Sequence, residues 1–243
     1  MPRLRRHFSY RSIKMLENLK QKVYEANLKL VEYKLVLFTW GNVSEIDRES
    51  GLVVIKPSGV DYDKMRPEDM VVMNLNGEKV EGELNPSSDT PTHLELYRRF
   101  PEIGGVAHTH STFAVSFAQA AIDVPCYGTT HADFAYGSVP CTRDLTKAEI
   151  EGEYELNTGK VIAECFEKGG IDYNAVPAVL VHSHGPFTWG KNGLEAAKNS
   201  AILEEVSKMA YLSKMMQAQP ASEDICKKHY FRKHSAGAYY GQK

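Results

Sequence analysis

The chain has 243 residues, of which 42% are hydrophobic and 25% charged, a composition typical of a folded globular domain. A formal net charge of −2 argues against a broad cationic surface, so we expect no nucleic-acid partner. No apolar stretch is long enough to span a bilayer and the N-terminus lacks the apolar core of a secretory signal, so we expect no membrane association.

The N-terminal segment differs in charge from the rest of the chain. Residues 1–14 carry five Lys and Arg residues and no acidic residue. We interpret them as a basic, disordered extension and expect one folded domain over residues 15–243. Over residues 16–30, apolar residues recur every three or four positions, which predicts an amphipathic first helix.

Strands and helices are predicted along the remainder of the chain from its hydrophobic periodicity and turn residues. The predicted strands are residues 35–40, 52–55, 71–75, a return strand to residue 80 after the turn Asn76-Gly77, 103–107 and 178–181. Three further helices are predicted. One begins at Thr90, which we expect to be its N-cap, and the other two cover residues 112–121 and 194–217. We therefore expect a single α/β domain, with a central mixed or antiparallel sheet and helices packed on both faces.

Two His-x-His pairs are the clearest chemical signal. His108 and His110 follow one predicted strand, and His182 and His184 follow another. Residues two apart on a strand point to the same face, so each pair can direct two imidazoles towards one point. Three or four nitrogen and oxygen ligands favour zinc, with manganese or another divalent ion as the alternative. For any single histidine, a structural role in the core is the competing interpretation.

Three small polar loops lie at predicted strand or helix boundaries. They contain Gly41 and Asn42, Ser58 and Gly59, and Ser87 and Ser88. Their backbone N–H groups and short polar side chains suit a phosphate group, although each loop alone is an ordinary turn. Lys56 would add positive charge, unless it is simply a solvated lysine.

Three further residues have two interpretations each. Asp89 either caps the following helix or supplies a carboxylate ligand to the metal. Asp133 lies in a glycine-rich loop, residues 128–137, where it is either solvated or a general acid or base. Tyr240 is either a packed terminal aromatic residue or a proton donor.

The cysteines and the missing nucleotide motif restrict the chemistry further. Cys126, Cys141, Cys165 and Cys226 are widely spaced and form no Cys-x-x-Cys motif, so we expect reduced thiols in a cytoplasmic protein. No Gly-x-Gly-x-x-Gly motif is present, and we expect no nicotinamide cofactor.

Seven short motifs together resemble those of bacterial L-ribulose-5-phosphate 4-epimerases, within the class II aldolase superfamily. The motifs are TWGNVS at 39–44, IKPSG at 55–59, PSSDT at 86–90, HTHS at 108–111, GTTHAD at 128–133, HGPF at 184–187 and YYGQ at 239–242. The resemblance covers nearly all of the chain from Met15 onward.

This resemblance implies a role for each candidate residue. The zinc ligands would be His108, His110 and His184, with Asp89 near or on the metal. The three polar loops would bind a pentulose phosphate, and Asp133 and Tyr240 would be the acid/base pair. The resemblance also implies a homotetramer with active sites at subunit interfaces, so that the acid/base pair would act on the neighbouring subunit's metal.

The implied reaction is epimerisation at C4 of L-ribulose 5-phosphate, by cleavage and re-formation of the C3–C4 bond. Related aldolases carry Glu where this chain has Asp89, so the shorter carboxylate favours an epimerase. An aldolase that releases its two fragments is the nearest alternative. A catalytically idle metal-binding protein of the same fold is the other.

Overall fold

A computed structural model of the protein describes residues 10–241, which include a seven-stranded sheet. The strands are β1 (Asn42–Asp47), β2 (Leu52–Ile55), β3 (Val71–Asn74), β4 (Lys79–Glu81), β5 (Gly105–His108), β6 (Ala178–Val181) and β7 (Gly185–Gly190). Their order is β4-β3-β2-β1-β5-β7-β6, and every neighbouring pair is antiparallel. The predicted α/β class is therefore confirmed, with a sheet that is antiparallel throughout.

Helices cover both faces of the sheet, as predicted. They are α1 (Tyr10–Glu32), α2 (Thr90–Arg99), α3 (Thr112–Gln119), α4 (Thr129–Ala132), α5 (Lys147–Glu151), α6 (Tyr154–Gly169), α7 (Gly193–Met215) and α8 (Glu223–His234). On one face, Ala107 of β5 packs against α1 and α7 through Ala26 and Ala196. Because side chains alternate along a strand, Val106 of β5 faces the other side and packs in the core that contains Leu94 of α2. No helix within the described residues combines the length and hydropathy needed to cross a bilayer.

The predicted strand at residues 35–40 is wrong. This segment is irregular, with Leu37 and Phe38 64% and 75% exposed and Phe38 at a left-handed φ of 54°. The strand begins instead at Asn42, in the segment predicted to be a polar loop. A polar strand can be buried here because its side chains have partners: the Ser44 hydroxyl lies 2.7 Å from His93 Nδ1.

The first helix starts earlier than the predicted domain boundary. Helix α1 begins at Tyr10, so residues 10–14 are helical and only residues 1–9 of the predicted extension lie outside the described residues. Helices α4, α5, α6 and α8 and strand β7 have no counterpart among the predicted elements, and α4 lies within residues 128–137, which were predicted to be a glycine-rich loop. The return strand β4, the N-terminus of α2 and the helices α3 and α7 lie within a few residues of the predicted positions.

The sheet brings several loops together where the ends of its central strands meet, which we call one edge of the sheet. His108, at the end of β5, is paired with Asn42 at the start of β1 and with Phe187 near the start of β7. Beyond the end of β2, an isolated bridge joins Pro57 to Pro86. The His108-x-His110 pair, His184 and the three polar loops are therefore neighbours in space.

Candidate functional site

Three of the predicted metal-binding histidines converge at this edge. His108 ends β5, His110 lies two residues beyond it, and His184 immediately precedes β7. One ligand nitrogen from each lies within 4.8 Å of the other two, and His108 Nε2 is 2.9 Å from His110 Nε2. The arrangement could hold a single metal ion.

Hydrogen bonds set the orientation of two of these rings. His108 Nδ1 lies 2.9 Å from the Pro186 carbonyl oxygen, which can only accept, so Nδ1 carries the proton and Nε2 keeps its lone pair. The Tyr154 hydroxyl lies 3.4 Å from His184 Nδ1, a contact that positions the ring but leaves its tautomer open, because a hydroxyl can donate or accept. Burial lowers the pKa of His108 and of His110, which favours neutral imidazoles. Neutral nitrogens directed at one point fit a divalent cation such as zinc.

His182 does not join the cluster. Ser183 adopts a left-handed φ of 60°, which ends the strand alternation between the two histidines. His182 Nδ1 lies instead 3.7 Å from Asp144 Oδ1. The same-face argument therefore does not apply to the second His-x-His pair, and only His184 contributes.

Asp89 directs its carboxylate into the site. It occupies the N-cap position of α2, yet its side chain makes no capping hydrogen bond. The Asn42 amide donates to Asp89 Oδ2 at 2.7 Å and to Ser87 Oγ at 3.1 Å. Burial opposes the charge, but attraction to His108 and His93 in their protonated forms, together with the Asn42 amide, outweighs it, so the pKa of Asp89 is lowered. Asp89 is an ionised neighbour of the cluster, and its coordination of a metal stays a prediction.

All six residues predicted to bind phosphate line one cleft with the three histidines. The cleft has a volume of about 550 Å³, and its wall includes Gly41, Asn42, Ser58, Gly59, Ser87 and Ser88. The backbone amide of Ser58 donates to the Asn85 carbonyl, and that of Ser87 to the Lys56 carbonyl. These two N–H groups are committed, and the Ser87 hydroxyl accepts from Asn42, so the remaining N–H groups of the loops and the hydroxyls of Ser58 and Ser88 are the candidates to face an anion.

Lys56 is not a solvated lysine. Its side chain is buried, with the residue only 1% exposed, and Nζ lies 4.8 Å above the Tyr62 ring. The ammonium donates to three backbone carbonyls, those of Val60 at 3.0 Å, Pro57 at 3.3 Å and Thr39 at 3.4 Å. Within the described residues no carboxylate forms an ion pair with it. Burial lowers its pKa to about 8. A buried ammonium lining the cleft without a counter-ion is suited to an anionic ligand.

Asp133 and Tyr240 lie together, but outside this cleft. The Asp133 carboxylate accepts from Arg232 at 2.7 Å and lies 3.0 Å from Lys233 Nζ and 3.1 Å from His229 Nδ1. Burial opposes its charge, but these hydrogen bonds, led by that from Arg232, lower the pKa of Asp133 to about 2. The Tyr240 ring packs on the same Arg232, 4.9 Å from its guanidinium carbon.

Two residues of the cleft were not predicted from the sequence. Tyr154 and Glu155, at the start of α6, line it beside His184. No local motif marks them, because α6 reaches the site by packing on α2. His93 is fully buried close to Asp89, where its Nδ1 contacts Ser44.

The fold and site define a class of α/β domain in which a three-histidine cluster adjoins a polar cleft at one edge of an antiparallel sheet. Residues 21–211 match the Class II Aldolase and Adducin N-terminal domain family, and the chain belongs to that family.

Solved structures share this fold. An L-fuculose 1-phosphate aldolase is 28% identical, with a TM-score of 0.74 over 87% of this chain and 94% of that one. L-fuculose-1-phosphate aldolase from Thermus thermophilus is 25% identical, with a TM-score of 0.64 over 84% and 98%. YgbL from Escherichia coli, for which aldolase, epimerase and decarboxylase activities have all been suggested, is 21% identical, with a TM-score of 0.70 over 88% and 98%.

Proposed function

We propose that this protein is a metal-dependent epimerase that converts L-ribulose 5-phosphate to D-xylulose 5-phosphate by retro-aldol cleavage and aldol re-formation of the C3–C4 bond. The supporting observation is the single cleft in which His108, His110 and His184 lie beside the buried cation Lys56 and the serine hydroxyls. In such a cleft, two oxygen atoms of the sugar could bind the metal beside the histidines while the phosphate group binds beside Lys56 and the serines.

The three histidines would hold the cation, for which zinc is our proposal. A bound divalent cation supplies Lewis-acid stabilisation of charge that develops on substrate oxygens. The Pro186 carbonyl would contribute by accepting from His108 Nδ1, which leaves Nε2 free to bind the cation, and the Tyr154 hydroxyl would contribute by positioning the His184 ring. Asp89, fixed by Asn42, would add negative charge beside the cation and orient the substrate hydroxyl groups.

The phosphate end of the cleft would retain the substrate through both halves of the reaction. Lys56 supplies the positive charge, and the hydroxyls of Ser58 and Ser88 supply directional hydrogen bonds. Retention matters because re-formation of the bond on the opposite face requires the aldehyde fragment to rotate without leaving. An aldolase, by contrast, releases that fragment.

Asp133 and Tyr240 are our candidates for the acid/base pair, acting in a homotetramer on the cleft of a neighbouring subunit. Two features support this assignment. Arg232 holds both groups close together at one place, and the Tyr240 side chain is exposed. Neither residue lines the cleft of its own chain. One residue of the pair would accept the C4 hydroxyl proton, and the other would return a proton to the new alkoxide.

An aldolase of the same superfamily is the second candidate, because two of the similar structures are L-fuculose phosphate aldolases. Asp89 favours the epimerase, since the resemblance places Glu there in the aldolases. A carboxylate shorter by one methylene, and already bonded to Asn42, extends less far over the substrate. The four free thiols support a cytoplasmic location for either enzyme.

The reaction products separate these candidates. Zinc-loaded protein would be incubated with L-ribulose 5-phosphate, and the sugar products would be separated and quantified. D-xylulose 5-phosphate is the expected product. Free glycolaldehyde phosphate and dihydroxyacetone without the epimer would show an aldolase, and no turnover with any divalent metal would favour the idle protein.

Two conservative variants test the acid/base assignment. Asp133→Asn and Tyr240→Phe are expected to lower kcat by about a hundredfold or more, the usual contribution of a general acid or base. Tyr239→Phe is the matched control, because it removes a neighbouring exposed phenol. Unchanged kcat in both test variants would remove this pair from the mechanism.

A further inference from the structure

Two of the four cysteines lie in contact on either side of the junction between the C-terminal helix α8 and the rest of the domain. Cys126 follows the bridge between Val124 and Val139, and Cys226 lies in the first turn of α8. Their sulfur atoms are 3.5 Å apart, and both are free thiols. We propose that Cys126 and Cys226 form a reversible disulfide under oxidising conditions, which tethers α8 to the body of the domain.

The helix is attached by contacts that a covalent bond would reinforce. None of its residues is buried, so α8 lacks the apolar anchor that holds the other long helices. Its C-terminal half is held by the ionic contacts of Arg232 with Asp133 and by the aromatic rings of Tyr230 and Phe231 against Tyr136. Its N-terminal end is held by the amide of Ala221, which donates to the Cys126 carbonyl at 2.9 Å. A disulfide would therefore reinforce the end of α8 that lies away from these ionic and aromatic contacts.

The geometry permits bond formation with a small movement. A disulfide requires a sulfur–sulfur distance of about 2.05 Å, so the two thiols must approach by roughly 1.5 Å. Since α8 buries no side chain, it can shift by this amount without opening the core. Because the two positions are far apart in sequence, the bond would close a long loop and restrict the opened state of α8.

The chemistry is a two-electron exchange with a disulfide oxidant such as oxidised glutathione. Cys226 is half-buried and Cys126 is only 6% exposed, so the Cys226 thiolate attacks first and releases one glutathione thiol. Burial raises the pKa of Cys126, which makes it the slower nucleophile. Cys126 then attacks the Cys226 sulfur and displaces the second glutathione thiol. Two protein thiols are oxidised to one disulfide, and one oxidised glutathione is reduced to two thiols.

The consequence is local to α8 and does not depend on the proposed reaction. The helix carries Arg232, which orients Asp133 and supports Tyr240. A tethered α8 would open less often, so groups held by it would keep one arrangement. Reduction would restore the freely opening helix.

The test uses the full-length protein, incubated either with oxidised glutathione or with dithiothreitol. Peptide mapping under non-reducing conditions is expected to show a Cys126–Cys226 cross-link only after oxidation. Limited trypsin digestion reports the tether, because cleavage after Lys227 or Lys228 requires α8 to open. Oxidation is expected to slow these cleavages by about tenfold or more.

Two variants complete the design. Cys226→Ser is expected to make the cleavage rate insensitive to the oxidant, and Cys165→Ser, the matched control, is expected to respond as the unmodified chain does. The proposal is overturned if all four thiols stay free, if Cys226 carries only a glutathione adduct, or if Cys141 and Cys165 are linked instead. A cross-link between Cys126 and Cys226 with an unchanged cleavage rate would equally refute the tether.

Discussion

Substitution of Gly41 by alanine should destabilise the fold in two ways, through backbone strain and through a steric clash of the added methyl group. Its φ is +74°, and an added Cβ would lie 2.6 Å from Val36 Cγ1 and 3.0 Å from the His108 carbonyl oxygen. Left-handed backbone costs an L residue about 1–2 kcal/mol. Forcing an extra methyl group into packed atoms costs about 1–3 kcal/mol more. Gly41→Ala should therefore lower the free energy of unfolding by about 2–5 kcal/mol.

Gly51→Ala is the matched control for this substitution. Gly51 has nearly the same φ, +70°, but no atom lies within 4 Å of the position of an added Cβ. Gly51→Ala should therefore lower the free energy of unfolding only by the backbone strain, about 1–2 kcal/mol. Alanine also reduces the entropy of the unfolded chain, but this effect is the same in both variants. Urea denaturation of metal-stripped protein measures both free energies.

The clash should also weaken metal binding, because the His108 carbonyl belongs to the residue whose ring joins the cluster. We expect Gly41→Ala to lower zinc affinity by about tenfold, as for loss of an orienting contact, and Gly51→Ala to leave it unchanged. A difference in unfolding free energy below about 0.5 kcal/mol between the two variants would refute the close approach at Gly41.

Three further substitutions test the site and its surroundings. Lys56→Met should raise KM for the sugar phosphate by about tenfold or more through loss of the buried positive charge that lines the cleft. In the unmodified enzyme KM should rise as pH increases beyond about 8, where the Lys56 ammonium loses its proton. If Lys56→Met showed the same rise, Lys56 would not be the cation that binds the phosphate. Tyr154→Phe should lower zinc affinity by about tenfold in a chelator competition, because the hydroxyl that orients His184 is lost; unchanged affinity would exclude that role. Asp133→Asn should lower the free energy of unfolding at pH 7 by about 1 kcal/mol, a value reduced for solvent screening of the Arg232 pair. Since the pKa of Asp133 is lowered to about 2, this contribution is complete above pH 4 and is lost as pH falls towards 2, so the difference between the two proteins should shrink at pH 3.

His108, His110 and the polar loops could be picked out from the sequence because each signal is local. A histidine pair after an apolar run, or a small polar loop at a strand end, is visible in a few consecutive residues. Antiparallel pairing then places the ends of β2 and β5 at the same edge of the sheet as the start of β1. Local patterns were sufficient to pick out these residues, whereas their union in one site was implied by the family resemblance and not by predicted strand pairing.

Other features depend on contacts between distant residues and could not be predicted in this way. Residues 35–40 have the composition of a strand, but the neighbouring segment from Asn42 pairs with β5 and buries its polar side chains through hydrogen bonds. The separation of His182 from His184 depends on the left-handed backbone at Ser183, which a non-glycine residue adopts only rarely.

The acid/base pair shows a different limit. The sequence places Asp133 and Tyr240 far apart, and the structure joins them through Arg232. Their assignment to a metal site depends on a second subunit, which no pattern within one chain specifies. Lys56 has a related difficulty, because burial of a lysine reflects the whole surrounding fold.

Anomalous diffraction at the zinc edge, from crystals of the zinc-loaded protein, tests the metal centre most directly. If the three histidines bind one metal ion, a single strong peak per chain should lie within about 2.1 Å of a nitrogen atom of each of His108, His110 and His184. A peak elsewhere, or three rings that share no peak, would contradict it.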